Sequence, residues 1–369
     1  MIENLLAALV RGDQIAWPFA GAQAEQDFLD AARNHGVLPL IGWRHRRQNV
    51  LDGWPATLQQ AIASRVRHHS IAEHVHHGEL SAVAGALAAR SVRAIVLKGA
   101  ALAHTHYPHP CLRPREDFDL LVREADVDAA TDALQARGYA PLDAVSGRFV
   151  AYQQTFVRDG AGGVRHACDL HWRVSNRPAF AQLLPWDDLA AGARPVRALD
   201  DAVDALAPAH ALLVACLHRV AHHYDAPTLI WLYDIHLLAG SLTEDEASRF
   251  VALAREHRVA SICARGIAVA AHHFRTVLPE PLTHLAPAGE EPLVAYMDTG
   301  LRPVDVLISD LRALTGWSAR VQLLREHLFP SPRYLRSVAS HFGSGPLPVV
   351  YARRIFRGAS RWLRAANET

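Results

Sequence analysis

Two aspartates, Asp117 and Asp119, stand one residue apart in the apolar run Asp117-Phe118-Asp119-Leu120-Leu121-Val122. This run predicts a β-strand, and alternate residues of a strand project to the same face, so the two carboxylates converge. Two anions this close repel each other unless a cation lies between them. A divalent ion such as Mg²⁺ binds carboxylate oxygens and keeps positions open for water and phosphate, so the pair is a candidate metal site. Taken alone, an exposed acidic strand edge explains the pair equally well.

A third carboxylate, Asp169, lies in a second apolar run where a charged side chain is costly unless it is paired. If the two strands are neighbours, Asp169 joins Asp117 and Asp119. Three carboxylates can hold two metal ions, one activating an attacking hydroxyl and one holding a triphosphate. Asp169 is also suited to act as the general base toward that hydroxyl. We expect His171 on the opposite face of this strand, in a structural role.

Lys98 is the only lysine among the 38 basic residues of the chain. Arginine serves everywhere else, which indicates that this position needs a compact, flexible ammonium group. The β-branched run at 92–98 predicts a strand, and Gly99 predicts a turn that opens a helix at Ala100. Phosphate is favoured at the N-terminus of a helix, so Lys98 and Gly99 form a candidate phosphate site.

Two arginines, Arg113 and Arg115, precede the Asp117 strand and could neutralise phosphate oxygens through bidentate hydrogen bonds. For Arg113 a phosphate role and a structural role are equally supported. For Arg115 a salt bridge to Glu116 or a solvated loop position explains the residue at least as well.

The 23 histidines allow a second type of metal site. His218 and His222 are one helical turn apart, and Asp234 follows about one helix later, so a zinc site can be drawn. No His-Glu-x-x-His motif occurs, and histidine pairs arise readily in such a His-rich chain, so packing or hydrogen bonding is the favoured interpretation. Trp231, Tyr233 and Asp234 could line the acceptor side of a cleft, with core packing the simpler interpretation for Trp231.

The elements that must position these residues fall into three regions. Helical periodicity dominates residues 1–90 and 179–369, whereas residues 91–178 contain short apolar strands. The pattern therefore predicts an α+β fold, mostly helical overall, in which a small mixed sheet at 91–178 is flanked by a helical N-terminal region and a helical C-terminal domain. The predicted strands are 92–98, 117–122, 149–158 and 164–172, with a hairpin loop at 159–163, and the predicted helices include 70–90, 125–137, 210–224, 228–239, 244–257, 260–277, 304–314, 319–328 and 349–366.

Composition excludes several classes of protein. Half of the residues are hydrophobic and the formal net charge is +1, which is typical of a globular protein without a field that attracts nucleic acid. Four widely spaced cysteines and the lack of a long apolar run favour a cytoplasmic protein without a membrane span. The arginine-rich tail at 349–366 favours a docked helix with a solvated arginine stripe over an anionic-lipid, RNA or acidic-partner site.

A set of short motifs resembles the bacterial uncharacterised nucleotidyltransferase family of the DNA polymerase beta-like nucleotidyltransferase superfamily. The resemblance extends over roughly residues 25–335. The motifs are Leu97-Lys98-Gly99-Ala100-Ala101-Leu102, Tyr107-Pro108, Leu112-Arg113-Pro114, Asp117-Phe118-Asp119-Leu120-Leu121-Val122, Gly138-Tyr139 and Asp169-Leu170-His171-Trp172.

This resemblance implies transfer of a nucleoside monophosphate from an NTP, expected to be ATP, to a hydroxyl of a small molecule, glycan or protein. It implies two Mg²⁺ ions, replaceable by Mn²⁺, on the triad Asp117, Asp119 and Asp169. The triphosphate would contact Lys98, Gly99, Ala100 and Arg113. The superfamily commonly has Gly-Ser where this chain has Gly99-Ala100, so the alternatives are a non-catalytic nucleotide-binding module and, less favoured, a His-based zinc hydrolase.

Overall fold

The computed structural model describes residues 2–142, 151–160, 163–298, 300–337 and 345–362. Three predicted segments therefore lie partly outside the described residues. They are the beginning of the strand predicted at 149–158, the middle of the hairpin loop at 159–163 and the end of the tail helix at 349–366.

Four helices precede the sheet: α1 (Ile2–Arg11), α2 (Ala22–Asn34), α3 (Leu38–Gln48) and α4 (Ala56–Ala88). Helix α4 runs for 33 residues without a break, beginning well before the helix predicted at 70–90. It continues because no proline or glycine interrupts the chain between Pro55 and Gly78. Its two halves pack in different hydrophobic cores. Leu58 and Ile62 pack among the helices, whereas Leu80 and Val83 pack against the sheet.

The sheet contains seven strands in the part of the chain that the structure describes, in the order β3-β4-β5-β2-β1-β7-β6. Strand β2 is parallel to β5 and antiparallel to β1, and β1 is parallel to β7. The sheet is therefore mixed, and the predicted α+β class is confirmed. The strands are β1 (Ala94–Val96), β2 (Asp117–Val122), β3 (Ala140–Pro141), β4 (Gln153–Asp159), β5 (Arg165–His171), β6 (Arg194–Pro195) and β7 (Asp204–Ala205).

Strands β6 and β7 lie in a region for which the sequence predicts only helices. Each is two residues long, which is too short for an alternation of apolar and polar side chains to be seen. They extend the sheet beyond β1 because β7 pairs with Ile95 and Val96. The region boundaries at 90/91 and 178/179 remain predictions.

The remaining helices surround the sheet and form the C-terminal half of the molecule. Apart from additional short helices, and apart from the end of the tail helix, which lies outside the described residues, their bounds agree with the predicted helices to within about three residues. No helix among the described residues has the length and apolar character needed to cross a membrane. They are α5 (Lys98–Thr105), α6 (Val127–Ala136), α7 (Pro178–Ala181), α8 (Trp186–Gly192), α9 (Pro208–His223), α10 (Leu229–Ser241), α11 (Glu244–Glu256), α12 (Ala260–Phe274), α13 (Glu280–Thr283), α14 (Pro303–Ala313), α15 (Trp317–Leu328), α16 (Pro332–Ser337) and α17 (Leu347–Trp362).

The two faces of β2 belong to different cores. Phe118 and Leu120 pack in a smaller core with the second half of α4 and with α6. Leu121 faces the larger core, which includes residues of α9, α10 and α12. Since alternate residues share a face, Asp117 and Asp119 lie on the Leu121 side, between the sheet and the C-terminal helices.

Candidate active site

The register of β2 and β5 brings the predicted acidic residues together. Asp119 stands directly opposite Asp169 in this parallel pair, and Asp117 precedes Asp119 by two residues on the same strand. Opposite residues of neighbouring strands project to the same face, so all three carboxylates lie on one side of the sheet. The convergence expected from the Asp-x-Asp spacing thus extends to the third aspartate.

Asp119 is buried, with 7% of its surface exposed, and one of its oxygens accepts two hydrogen bonds. Lys98 Nζ lies 2.6 Å and His171 Nε2 lies 2.8 Å from Asp119 Oδ1. Burial alone would raise the pKa of Asp119, but the ammonium of Lys98 and the imidazole of His171 hold that pKa well below its usual value. Asp119 is therefore a carboxylate at neutral pH.

Asp117 differs from Asp119 because it opens into a concave cleft and makes no hydrogen bond to another described residue. Partial desolvation in the cleft and the negative charges of Asp119 and Asp169 raise the pKa of Asp117 to about 6. A cation at this end of β2 would relieve the repulsion. The carboxylate set therefore fits the divalent ion that the Asp-x-Asp motif implies.

Asp169 is oriented by two side chains of the neighbouring strand β4. Thr155 Oγ1 donates to Asp169 Oδ1 at 2.6 Å, and Gln153 Nε2 donates to Asp169 Oδ2 at 2.8 Å. Asn176 Nδ2 in turn donates to Gln153 Oε1 at 2.6 Å. Positions 153 and 155 are polar alternate positions of a predicted strand, which is the one sequence feature that indicates these positioning residues.

His171 lies on the same face as Asp169, so its predicted placement on the opposite face is wrong. The two residues are separated by one position, and alternate strand residues share a face, the same relation that Asp117 and Asp119 obey. Its side chain is buried and bonds to Asp119. Asp119, Asp169 and His171 each offer a ligand atom within 4.8 Å of the other two. Among the described residues, they are the group of three or more such side chains that could hold a metal ion.

Lys98 begins helix α5, two residues earlier than predicted, with a left-handed backbone (φ 50°). The next residue must be small, because a Cβ at Gly99 would lie 2.8 Å from Arg113 Cζ. Ala100 is 2% exposed and belongs to the smaller core. Lys98, Gly99, Ala100 and Arg113 all line the cavity beside the aspartates.

Arg113 is held by Asp234, with its Nε 3.0 Å from Oδ1 and its Nη2 2.8 Å from Oδ2. Nη1 donates to the carbonyl of Pro114 at 2.8 Å. Burial alone would lower the pKa of Arg113, and the Asp234 carboxylate raises it instead. One N–H each on Nη1 and Nη2 is left for a ligand. The phosphate role of Arg113 remains a prediction.

Arg115 is buried and pairs with Glu73 of α4 at 2.8 Å. The salt bridge to Glu116 and the solvated position considered for this arginine are therefore wrong. The partner lies 42 residues away, so sequence spacing could not reveal it.

The disfavoured zinc site, drawn on His218, His222 and Asp234, does not form. The rings of His218 and His222 are 5.2 Å apart, but Asp234 is occupied by Arg113 and by Tyr107 Oη at 2.7 Å. Burial, followed by the nearby charge of Lys98, lowers the pKa of His222 to about 3 and that of His218 well below its usual value. These histidines are neutral imidazoles on the cavity wall.

A cavity of about 620 Å³ joins the aspartates to these imidazoles, between the sheet and helices α9 and α10. Trp231 lines it, half-buried, and stacks on His223 with 3.8 Å between ring centroids. One wall therefore carries carboxylates and an ammonium, and another carries neutral rings. The cavity can hold a charged group and an uncharged group side by side.

Comparison with known proteins agrees with this geometry. A family model described as "Uncharacterised nucleotidyltransferase" matches residues 22–275, more than half of the chain. The match begins at the first residue of α2 and includes α12, so it contains every residue of the cavity described above. The curated proteins contain no match to the chain. The chain belongs to the uncharacterised nucleotidyltransferase family.

Proposed function

We propose that the protein is a metal-dependent nucleotidyltransferase that transfers a nucleoside monophosphate from an NTP, expected to be ATP, to an acceptor hydroxyl. The observation that carries this proposal is the alignment of Asp119 opposite Asp169, with Asp117 and Lys98 beside them in one cavity. Family membership supports the reaction type. Pyrophosphate is the second product.

In this reaction the acceptor oxygen forms a bond to the α-phosphorus, and the bond from that phosphorus to the bridging oxygen breaks. Asp169 accepts the proton of the attacking hydroxyl, with its carboxylate oriented by Gln153 and Thr155. Asp117, Asp119 and Asp169 would hold two Mg²⁺ ions, or Mn²⁺ in their place. When bound, these ions would acidify the hydroxyl and neutralise the triphosphate.

Lys98 supplies the charge for the phosphates. Its flexible stem allows the ammonium to move from Asp119 Oδ1, 2.6 Å away, to a phosphate oxygen in the same cavity. Gly99 has no side chain and Ala100 has only a methyl group, so the nucleotide can approach the backbone on this side of the cavity. Arg113 has two N–H groups for the outer phosphates.

The part of the cavity that His218, His222 and Trp231 line is uncharged because both imidazoles are neutral, and we assign this part to the acceptor. This lining, together with the formal net charge of +1, supports a small molecule, a glycan or a protein side chain as the acceptor. Extended nucleic acid is disfavoured because its affinity depends on many phosphate contacts.

A non-catalytic nucleotide-binding module is the second candidate, and Ala100 is the observation that favours it. The buried methyl group of Ala100 offers no hydroxyl to a phosphate. The retained carboxylates favour catalysis, because burial and the negative charges of Asp119 and Asp169 raise the pKa of Asp117, and this arrangement is costly unless a cation neutralises it.

Calorimetric titration with non-hydrolysable ATP, GTP, CTP and UTP analogues in the presence of Mg²⁺ tests the proposal without knowledge of the acceptor. We expect Mg²⁺-dependent binding that is lost in the Asp117→Asn, Asp119→Asn double variant. Asp52→Asn, at an exposed turn, is the matched control and should bind like the wild type. Absence of binding for every analogue, or unchanged binding by the double variant, would overturn the proposal.

A further inference from the structure

His171 is a buried polar residue for which a three-aspartate metal site has no role. Its side chain is 1% exposed, and Nε2 lies 2.8 Å from Asp119 Oδ1. The other ring nitrogen, Nδ1, is buried without a hydrogen-bond partner. His171 therefore places one ring nitrogen, Nε2, among the aspartates and leaves the other without a hydrogen-bond partner among the described residues.

We propose that His171 is a nitrogen ligand of the divalent ion held by Asp119 and Asp169, and that this ligand makes the site select Mn²⁺ over Mg²⁺. The inference rests on the proposed metal-dependent function and changes the ligand set from three carboxylates to a set that includes one imidazole.

The distances suit a shared ion. Asp119, Asp169 and His171 offer ligand atoms within 4.8 Å of one another. Two ligands about 2.1 Å from one metal and at right angles to each other lie about 3.0 Å apart. The 2.8 Å between His171 Nε2 and Asp119 Oδ1 is close to that separation, so little movement of either side chain is needed.

Binding of an ion at Nε2 requires the other tautomer of the imidazole. In the structure Nε2 carries the proton, because it donates to Asp119 Oδ1. The proton would move to Nδ1, which has no hydrogen-bond partner among the described residues, whereas the second ring nitrogen of a metal-binding histidine usually has one. An ion at Asp119 would also take over the charge neutralisation that Lys98 provides there, and Lys98 would then turn to the phosphates.

The metal preference follows from donor chemistry. Both ions bind carboxylate and water oxygens, but Mn²⁺ is a transition-metal ion and accepts an imidazole nitrogen more readily than Mg²⁺ does. A site of three carboxylates offers both ions the same donors. An imidazole adds a donor that Mn²⁺ uses better, so we expect Mn²⁺ to bind about tenfold or more tightly than Mg²⁺.

Electron spin-echo spectroscopy of Mn²⁺ bound to the full chain, without nucleotide, tests this assignment. We expect modulation from a directly bound ¹⁴N nucleus in the wild type, and its loss in His171→Gln, where the amide offers an oxygen instead. His222→Gln removes an imidazole from the same cavity and should keep the modulation. The ratio of Mg²⁺ to Mn²⁺ dissociation constants should fall about tenfold in His171→Gln alone.

Three outcomes would overturn the inference. Bound Mn²⁺ without ¹⁴N modulation in the wild type would do so and leave the transferase proposal intact. Modulation that persists in His171→Gln would assign the nitrogen to another residue. A wild-type chain that binds no Mn²⁺ would remove the metal-dependent function as well. Circular dichroism of His171→Gln, and of His171→Asn as a second variant, checks that the variants fold. The spin-echo spectrum of the wild type tests the assignment without any variant.

Discussion

Arg113 and Asp234 join the sheet to the C-terminal helices across 121 residues of sequence. Arg113 lies shortly before β2 in the chain, and Asp234 belongs to α10. Both side chains form part of the cavity wall. Tyr107 donates to the same carboxylate, so Asp234 accepts from two buried residues. The position of the acidic strand relative to the acceptor wall therefore depends on this pair.

We predict that Asp234→Ala lowers the free energy of unfolding by about 3–5 kcal/mol, because it leaves the Arg113 guanidinium buried and unpaired. Tyr107→Phe removes one hydrogen bond to the same carboxylate and should cost about 1 kcal/mol. Urea denaturation of both variants measures the difference. Equal costs for the two variants would show that the ion pair is not what stabilises this junction.

We predict that Gly99→Ala costs about 1–3 kcal/mol, since the new methyl group would collide with the Arg113 guanidinium. Gly85→Ala, in helix α4 with no atom within 4 Å of the added Cβ, should instead stabilise the protein by about 0.5–1 kcal/mol. Thermal denaturation compares them. In an Arg113→Lys background the cost of Gly99→Ala should shrink, and an unchanged cost would contradict the proposed contact.

We predict that Thr155→Val weakens Mn²⁺ binding about 10–100-fold, because Asp169 loses the hydroxyl that orients it at 2.6 Å. The adjacent Gln154 bonds to backbone carbonyls and not to Asp169, so Gln154→Ala should leave the affinity unchanged. Titration followed by the free Mn²⁺ resonance gives both dissociation constants. Similar affinities in the two variants would show that Asp169 does not need the Thr155 hydroxyl to bind the ion.

Burial raises the pKa of Asp310 to about 6, a shift that Arg177 only partly opposes. The folded state therefore holds a proton that the unfolded state releases near pH 4, and stability falls as pH rises from about 4 to about 6. We predict that Asp310→Asn gains on the order of 2–3 kcal/mol at pH 7 and little at pH 4. Denaturant midpoints across this range test it, and a gain that does not depend on pH would contradict the assigned cause.

Alternation along a strand made much of the candidate site predictable. Asp117 and Asp119 share a face because they are two residues apart, and the pattern of six residues defines β2 with the bounds that the structure has. His171 obeys the same rule relative to Asp169, so its predicted placement on the opposite face is wrong, and the spacing of the two residues already indicates the shared face.

Other features depend on contacts that no local pattern encodes. The partner of Arg113 is in α10, and the partner of Arg115 is in α4, both far along the chain. The parallel pairing of β2 with β5 requires strands that are separated by α6 and a hairpin. Spacing predicts the candidate site residues, whereas tertiary packing determines which of them, such as Arg115, are held in ion pairs.

The single lysine gives the molecule an internal reporter. In most proteins an amine-selective reagent modifies many side chains, but here the only lysine side chain is Lys98, with 20% of it exposed beside Asp119. Its acylation, followed by peptide mass spectrometry, therefore reads the accessibility of one ammonium group. Labelling rates with and without a divalent ion or nucleotide would record whether this group stays on the carboxylate or leaves it.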